Sequence, residues 1–224
     1  GLLFGRASPA IEVTNQGKGN VMKEKHLADG ISLMQRFCEA NNLIVPPVNV
    51  RPKAEWPFGE CAYYRPTYIE ICLDQCAHIG KAGMAWSYPG HTVDRTPYGV
   101  IQHELGHHVD VTHSKEFRRY RGDFSIKLRQ ETGEAPISGY CPDDGEWFAE
   151  IFRVFVTNPD LLRLIRPLTY KRLREYFIPV VTDPWDKVLG EAPERTKTAC
   201  SKKVSEALRV SVFEIHATMP MTDQ

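Results

Sequence analysis

The sequence predicts a mixed α+β fold with a small strand region in its N-terminal part and a mainly helical C-terminal half. Segments rich in aromatic and β-branched residues, such as residues 68–72, come early, whereas clear helix-start signals, such as Thr96-Pro97, come later. A chain of 224 residues with 42% hydrophobic and 25% charged content is long enough to bury a sizeable core. We therefore expect one domain with extensions.

The chain is predicted to begin with a loose segment and then to enter a helix. Residues 1–20 contain several glycines and are predicted to form a flexible N-terminal arm. Apolar residues recur at helical spacing over residues 21–40, broken only by one glycine, which predicts a helix packed on the domain. The predicted domain covers residues 21–181, and residues 182–224 are predicted to form a C-terminal extension.

Three short strands are predicted after this helix. Pro46-Pro47 ends the helix, and residues 48–50 follow as the first strand. Residues 62–64 and 68–72 are rich in aromatic and β-branched side chains and are separated by Arg65-Pro66-Thr67. This arrangement predicts a hairpin or a pair of edge strands.

Helices are predicted for most of the remaining chain. Thr96 stands where an N-cap belongs and Pro97 at the first helical position, which predicts a helix to about residue 113. Asn158-Pro159 gives a similar signal for a later helix, which Pro167 ends. The other predictions are helices over residues 115–131, 146–156 and 169–177, and loops over residues 82–94, 132–145 and 183–200.

Charge and apolar content exclude several classes of partner. Lysine plus arginine and aspartate plus glutamate both total 28, so no overall field favours nucleic acid or an anionic membrane. No apolar run approaches the roughly 20 residues that a membrane-spanning helix needs, and Leu2-Leu3-Phe4 is too short for a signal-peptide core. The six scattered cysteines favour reduced thiols. We expect an intracellular protein or a component of a larger assembly, with no membrane partner.

One segment carries a specific metal-binding pattern. Residues 103–107 match His-Glu-x-x-His and lie on a predicted helix. Side chains four residues apart project from the same helix face, so His103 and His107 can bind one ion. Neutral imidazole is a good ligand for Zn²⁺, and Glu104 can take a proton from metal-bound water without being a ligand itself. The pattern predicts a zinc metallopeptidase with one Zn²⁺ ion.

The residues alone leave two candidates for the third ligand. His113 has the spacing of the long pattern His-Glu-x-x-His-x-x-Gly-x-x-His, but Asp110 stands where that pattern has glycine. Glycine permits a sharp turn at positive φ, for which Asp is a poorer though permitted substitute. Alternatively, Glu146 would complete a His, His, Glu set, and Glu150 would brace a ligand histidine through its second ring nitrogen.

A resemblance to a known family favours the acidic ligand. The segments HELGHHVD and GEWFAEIFRVF resemble the zinc-peptidase domain of anthrax lethal factor and its toxin-type relatives, over about residues 103–177. The resemblance implies a zincin-like metallopeptidase fold, Glu146 as the third zinc ligand, and Asp110 as the acid that follows the second histidine in that family. It also implies Tyr140 as the oxyanion donor, although Tyr140 lies one residue nearer to its glutamate than in the family.

Together these features predict endopeptidase action on a protein or peptide substrate. Glu104 would be the general base on zinc-bound water, and zinc and Tyr140 would share the charge that develops on the carbonyl oxygen. Residues 62–72 are the candidate sheet edge to which a substrate would add as a strand. The alternative function is that of a non-catalytic, zinc-stabilised structural or assembly protein derived from a peptidase fold. Nucleic acid is an unlikely partner on this sequence, because acidic residues interrupt the basic segment after residue 114.

Overall fold

A computed structural model describes residues 18–79, 86–87, 94–116, 123–137 and 143–180. These residues form a mixed α+β fold that is mostly helical and contains a small three-stranded sheet, which confirms the predicted fold class at this level. Residues 1–17 of the predicted arm and the predicted extension 182–224 lie outside the described residues. Within the described ranges, none of the helices combines the length and the apolar character that a bilayer span requires.

The first helix, α1 (Lys18–Ala40), follows the predicted apolar period. Leu27, Met34 and Phe37 are buried on the face that this period defines. At Gly30 the helix meets the later helix α2 (Pro97–Glu116), because the Cα of Tyr98 lies 3.0 Å from the position that a Cβ would take. The glycine that interrupts the apolar pattern therefore permits two helices to approach closely.

The three predicted strands form one mixed sheet. The strands β1 (Val48–Val50), β2 (Ala62–Arg65) and β3 (Tyr68–Ile71) lie in the order β1-β3-β2. β1 is parallel to β3, and β2 pairs antiparallel with β3 in the register Tyr64 to Ile69, so the predicted hairpin is confirmed. β2 is an edge strand of this sheet, and it packs against α2.

A second, smaller sheet was not predicted. The strands β4 (His78–Ile79) and β5 (Trp86–Ser87) pair in parallel. β5 lies within residues 82–94, for which an irregular loop was predicted, and that prediction is wrong at these two residues. A strand of two residues is too short to produce an alternating pattern.

The helical half begins as predicted. Thr96 caps α2, since its hydroxyl oxygen accepts a hydrogen bond from the Gly99 N–H at 3.3 Å. Asn158 caps a later helix, since its side-chain oxygen accepts from the Leu161 N–H at 3.1 Å. The remaining helices are α3 (Asp123–Thr132), α4 (Asp144–Thr157), α5 (Pro159–Ile165) and α6 (Pro167–Leu173).

Two predicted helix starts are wrong. Helix α4 begins at Asp144 rather than at residue 146, after the N-cap Asp143. Of the helix predicted over residues 115–131, the first two residues belong to α2, residues 117–122 lie outside the described part of the chain, and α3 is described from Asp123. The last helix starts at Pro167 rather than Thr169, because proline suits the first helical position. The carboxylate of Glu134 accepts a hydrogen bond from the Thr169 N–H at 2.7 Å and so helps to satisfy the exposed donors of this first turn.

The core lies around α4, which packs against α2, α3 and α5. Phe152 is at its centre, with ring centroids 5.4 Å from Phe37 and 5.5 Å from Phe177 in edge-on arrangements. The large apolar residues of this helix are buried, namely Trp147, Phe148, Ile151, Phe152 and Phe155. Helix α4 is therefore a fixed platform on which a functional side chain can be held.

Candidate metal centre

Helix α2 presents the three residues of the motif on one side. The rings of His103 and His107 lie 5.0 Å apart between centroids, at an angle of 79°. The opposite side of the helix is anchored in the core, where Ile101, Leu105 and Val109 are fully buried. Because the apolar face fixes the rotation of the helix, the imidazoles are held toward the cleft beside it.

Glu146 reaches the same point from the first turn of α4. The Asp143 side chain caps this helix by accepting from the Glu146 N–H at 2.9 Å. The Glu146 carboxylate lies 3.0 Å from Nε2 of His103 and 3.5 Å from Nε2 of His107. One ligand atom from each of these three residues lies within 4.8 Å of the others. The two helices thus bring together the His, His, Glu set predicted from the sequence.

The chemistry and spacing of these groups fit a zinc ion. Two imidazole nitrogens and one carboxylate oxygen form a common protein donor set for Zn²⁺. In a tetrahedral site with bonds of about 2.0–2.1 Å, neighbouring ligand atoms lie roughly 3.3 Å apart. Nε2 of His103 lies 3.0 Å from Oε2 of Glu146, and Nε2 of His107 lies 3.5 Å from Oε1, so the two distances to the carboxylate lie on either side of that value.

The electrostatic environment also favours a cation. Burial lowers the pKa of His103, but hydrogen bonds to Glu146 and Glu150 outweigh it and raise the pKa to about 10. Burial opposes ionisation of Glu146, yet its hydrogen bonds to His103 and His107 hold its pKa well below the usual range. The carboxylates therefore create a negative potential where the ligand atoms converge.

Glu150 engages the other ring nitrogen of His103. Its carboxylate lies 2.9 Å from Nδ1 of His103, one turn along α4 from Glu146. Burial disfavours the charged form of Glu150, but the charge of Arg153 and the bond to His103 lower its pKa to about 2. An ionised Glu150 can only accept, so Nδ1 of His103 is the donor and Nε2 faces the other candidate ligands.

Glu104 lies beside the candidate ligands and is buried. Its pKa is raised, first by burial, while the positive charges of His103 and His107 act in the opposite direction. The carboxylate also receives a backbone hydrogen bond from Tyr64 on the edge strand β2. A carboxylate with a raised pKa is better suited to accept a proton than an ordinary surface glutamate.

The candidate centre lies in a cleft of about 760 Å³. Helix α2 supplies one wall with His103, Glu104 and His107, and the start of α4 supplies Glu146. The strand β2 lines the cleft with residues 62–64, preceded by Glu60 and Cys61. The volume lies in the range typical of ligand sites, and an edge strand runs along it.

The other residues singled out from the sequence are located as follows. Asp110 lines the cleft and accepts a hydrogen bond from the Ser125 N–H at 2.9 Å, which ties α2 to α3. His108 bonds to the hydroxyl of Tyr64 and the carbonyl of Ile44, away from the candidate ligands. His113 lies on α2, but its side chain is outside the described part of the chain, as is the whole of Tyr140.

Two buried charges next to this centre were missed in the sequence. Arg153 is fully buried and donates two hydrogen bonds to Glu150, of 3.1 Å and 3.0 Å. Asp94 is buried just before α2, and its charge acts on Arg153. An arginine within an apolar helix, three residues after a glutamate, was the sequence signal for this pair. A buried guanidinium needs an acidic partner, so such a spacing indicates a buried ion pair.

No protein-family model matches the chain, and no curated protein or solved structure matches it significantly.

Proposed function

We propose that this chain is a zinc-dependent endopeptidase with a zincin-like fold that hydrolyses peptide bonds in a protein substrate. One observation carries the proposal: ligand atoms of His103, His107 and Glu146 converge within 4.8 Å in a cleft that Glu104 also lines. The edge strand β2 beside α2 supports the zincin-like assignment, because it brings a sheet edge to the same cleft.

The proposed metal site uses two histidines and one glutamate. Three protein ligands leave a fourth position of a tetrahedral site open, as catalytic zinc sites require. A bound zinc ion would supply Lewis acidity, which lowers the pKa of coordinated water from ~15.7 towards ~7 and polarises a carbonyl group. Glu150 would keep His103 in orientation through Nδ1.

Glu104 is the proposed general base and general acid. Its buried carboxylate would accept a proton from the water that attacks the scissile carbonyl. It would then deliver this proton to the nitrogen of the leaving amine as the peptide bond breaks. Tyr140 is the proposed donor to the oxyanion on the strength of the family resemblance, and it lies outside the described residues.

The edge strand β2 is the proposed docking site for the substrate backbone. β2 pairs with β3 on one side, and residues 62–64 line the cleft. An extended peptide could add to this edge through main-chain hydrogen bonds and so lie across the candidate centre. The sheet's other edge strand, β1, contributes no residue to the described lining of the cleft, and β3 is the central strand.

A paired test of metal binding and cleavage addresses the proposal. Purified wild type and a Glu104→Gln variant are loaded with zinc, their metal content is measured, and both are incubated with a diverse peptide library. We expect one zinc ion on each protein and a fall in kcat of about 10²- to 10⁴-fold in the variant. The matched control is Glu131→Gln, on a surface glutamate that bonds to Arg172, which should cleave like the wild type.

The same test separates the proposal from its alternative. Wild type that carries one zinc ion and leaves every peptide intact would favour a non-catalytic structural or assembly protein. Zinc-dependent cleavage that survives unchanged in the Glu104→Gln variant would contradict the assigned role of this residue.

A further inference from the structure

A buried arginine, Arg153, is linked to the candidate metal centre through one intervening residue, Glu150. Arg153 belongs to α4 and is 0% exposed, between the core residues Phe152 and Val154. Burying a guanidinium in an apolar core is costly unless its donors are well matched by acceptors. The contacts of Arg153 therefore indicate the role of this buried side chain.

Arg153 donates hydrogen bonds to both oxygens of the Glu150 carboxylate. Its Nε donates to Oε1 of Glu150 at 3.1 Å, and its Nη2 donates to Oε2 at 3.0 Å. Oε1 also lies 2.9 Å from Nδ1 of His103. Because a guanidinium only donates, both oxygens of Glu150 are acceptors. In the hydrogen bond between Glu150 and His103, Nδ1 of His103 must therefore be the donor.

A second buried acid, Asp94, also acts on the charge of Arg153. Asp94 is 4% exposed and precedes α2, where its Oδ1 accepts from the Thr96 N–H at 2.9 Å and from the Thr96 hydroxyl at 2.7 Å. The charges of Asp94 and Arg153 act on each other. Arg153 thus interacts electrostatically with an acid of its own helix, Glu150, and with an acid that precedes α2, Asp94.

We propose that Arg153 is a positioning residue for the metal centre: its two hydrogen bonds fix Glu150, and Glu150 in turn fixes the ring orientation of His103. The inference rests on the proposed zinc function. The planar fork of arginine is required, because the single ammonium of lysine cannot donate in parallel to both carboxylate oxygens. Glu150 contacts both the guanidinium of Arg153 and Nδ1 of His103, so the effect of Arg153 passes through Glu150.

Zinc affinity of the full chain tests this role, measured by competition with a chromogenic chelator. The variants are Arg153→Met, Arg153→Lys and the matched control Arg166→Met. Arg166 is also a buried arginine, but it donates to the backbone carbonyl of Pro136 at 2.7 Å. Circular dichroism without zinc establishes which variants fold.

The expected order separates positioning from a purely structural role. Arg153→Met should bind zinc about 10- to 100-fold more weakly, as is typical when a partner of a ligand histidine is lost. Arg153→Lys should recover part of this loss, and Arg166→Met should keep wild-type affinity even where its stability falls. The absorption spectrum of the Co²⁺-loaded protein should change in Arg153→Met and not in Arg166→Met.

Two results would overturn the inference. One is a folded Arg153→Lys variant with wild-type zinc affinity. If Arg153→Met does not fold, the zinc affinity of Arg153→Lys alone tests the positioning role. The other is an equal loss of affinity in Arg166→Met, which would make the effect a general one of stability. A wild-type chain that binds no zinc, or binds it equally well as His103→Ala, would instead refute the proposed function itself.

Discussion

At the scale of single residues, His103 joins the metal motif to the helix that supports it. Each of its ring nitrogens faces a different glutamate, Glu146 at 3.0 Å and Glu150 at 2.9 Å. The two carboxylates come from consecutive turns of α4, so one helix supplies both a candidate ligand and its support. The chemistry of the centre therefore depends on how α4 is placed beside α2.

Cys38 provides a prediction about pH and stability. The thiol is fully buried, and burial raises its pKa from 9.0 to about 12. A group whose pKa is raised in the folded state stabilises the protein below the unfolded-state pKa and loses that contribution as pH rises. We expect the free energy of unfolding to fall between pH 9 and 12, by about 1.4 kcal/mol per pH unit from this residue.

Urea unfolding of the wild type and of a Cys38→Ala variant at several pH values measures this contribution. The difference between the two free energies should shrink as the pH rises above 9, because the variant has no thiol to ionise. A difference that stays constant up to pH 12 would mean that the thiol ionises as easily in the folded chain as in the unfolded one.

The sequence predicts single residues well where the pattern is local. His103, Glu104 and His107 lie within five consecutive residues, so helical geometry alone brings them together. Glu146 comes from a different helix, and residue spacing alone could not choose it over His113. Arg153 gives one local signal, its position in an apolar helix three residues after Glu150, but its role depends on the partners that the folded chain brings to it.

At the scale of elements, the contact between α2 and α4 sets the distance between the candidate ligands. Gly106 lies within the motif, and a Cβ there would come 2.7 Å from the Cα of Ala149. Ala149 lies between the two glutamates of α4 in sequence. The absence of a side chain at Gly106 thus lets the two helices approach closely enough for Glu146 to reach both histidines.

A Gly106→Ala variant tests this close approach. The added methyl group must push α4 away, so we expect a loss of about 1–3 kcal/mol in the free energy of unfolding and weaker zinc binding. The matched control is Gly59→Ala, where a Cβ would meet nothing within 4 Å. Thermal unfolding of both variants checks the prediction, and a Gly106→Ala variant as stable as the wild type would refute it.

Element boundaries were predictable where capping residues mark them. Thr96 and Asn158 both accept the N–H that a cap should satisfy. The strand β5 was not predictable, because two residues carry no repeating apolar pattern. Its position depends on pairing with β4.

At the scale of the whole molecule, one aromatic core holds the parts of the centre in place. Phe152 contacts aromatic rings from α1, from α4 and from the segment after α6, including Phe37 and Phe177. The same helix carries Glu146 and Glu150 at its N-terminal end. The placement of the candidate centre therefore depends on the packing of the entire core.

Truncation of Phe152 tests this dependence. A Phe152→Ala variant should lose about 3–5 kcal/mol in the free energy of unfolding, because it leaves a cavity among aromatic rings. Leu164→Ala is the control, since Leu164 is 53% exposed and should change stability by less than about 0.5 kcal/mol. Chemical denaturation compares them, and equal losses in the two variants would contradict the proposed core.

We propose that His103, His107 and Glu146 hold one zinc ion. Anomalous scattering at the zinc absorption edge, from crystals of the purified full chain, would locate the ion. We expect one anomalous peak per chain, bonded to Nε2 of both histidines and to the carboxylate of Glu146, with an open fourth position. A chain without zinc, or a peak coordinated by His113 in place of Glu146, would contradict it.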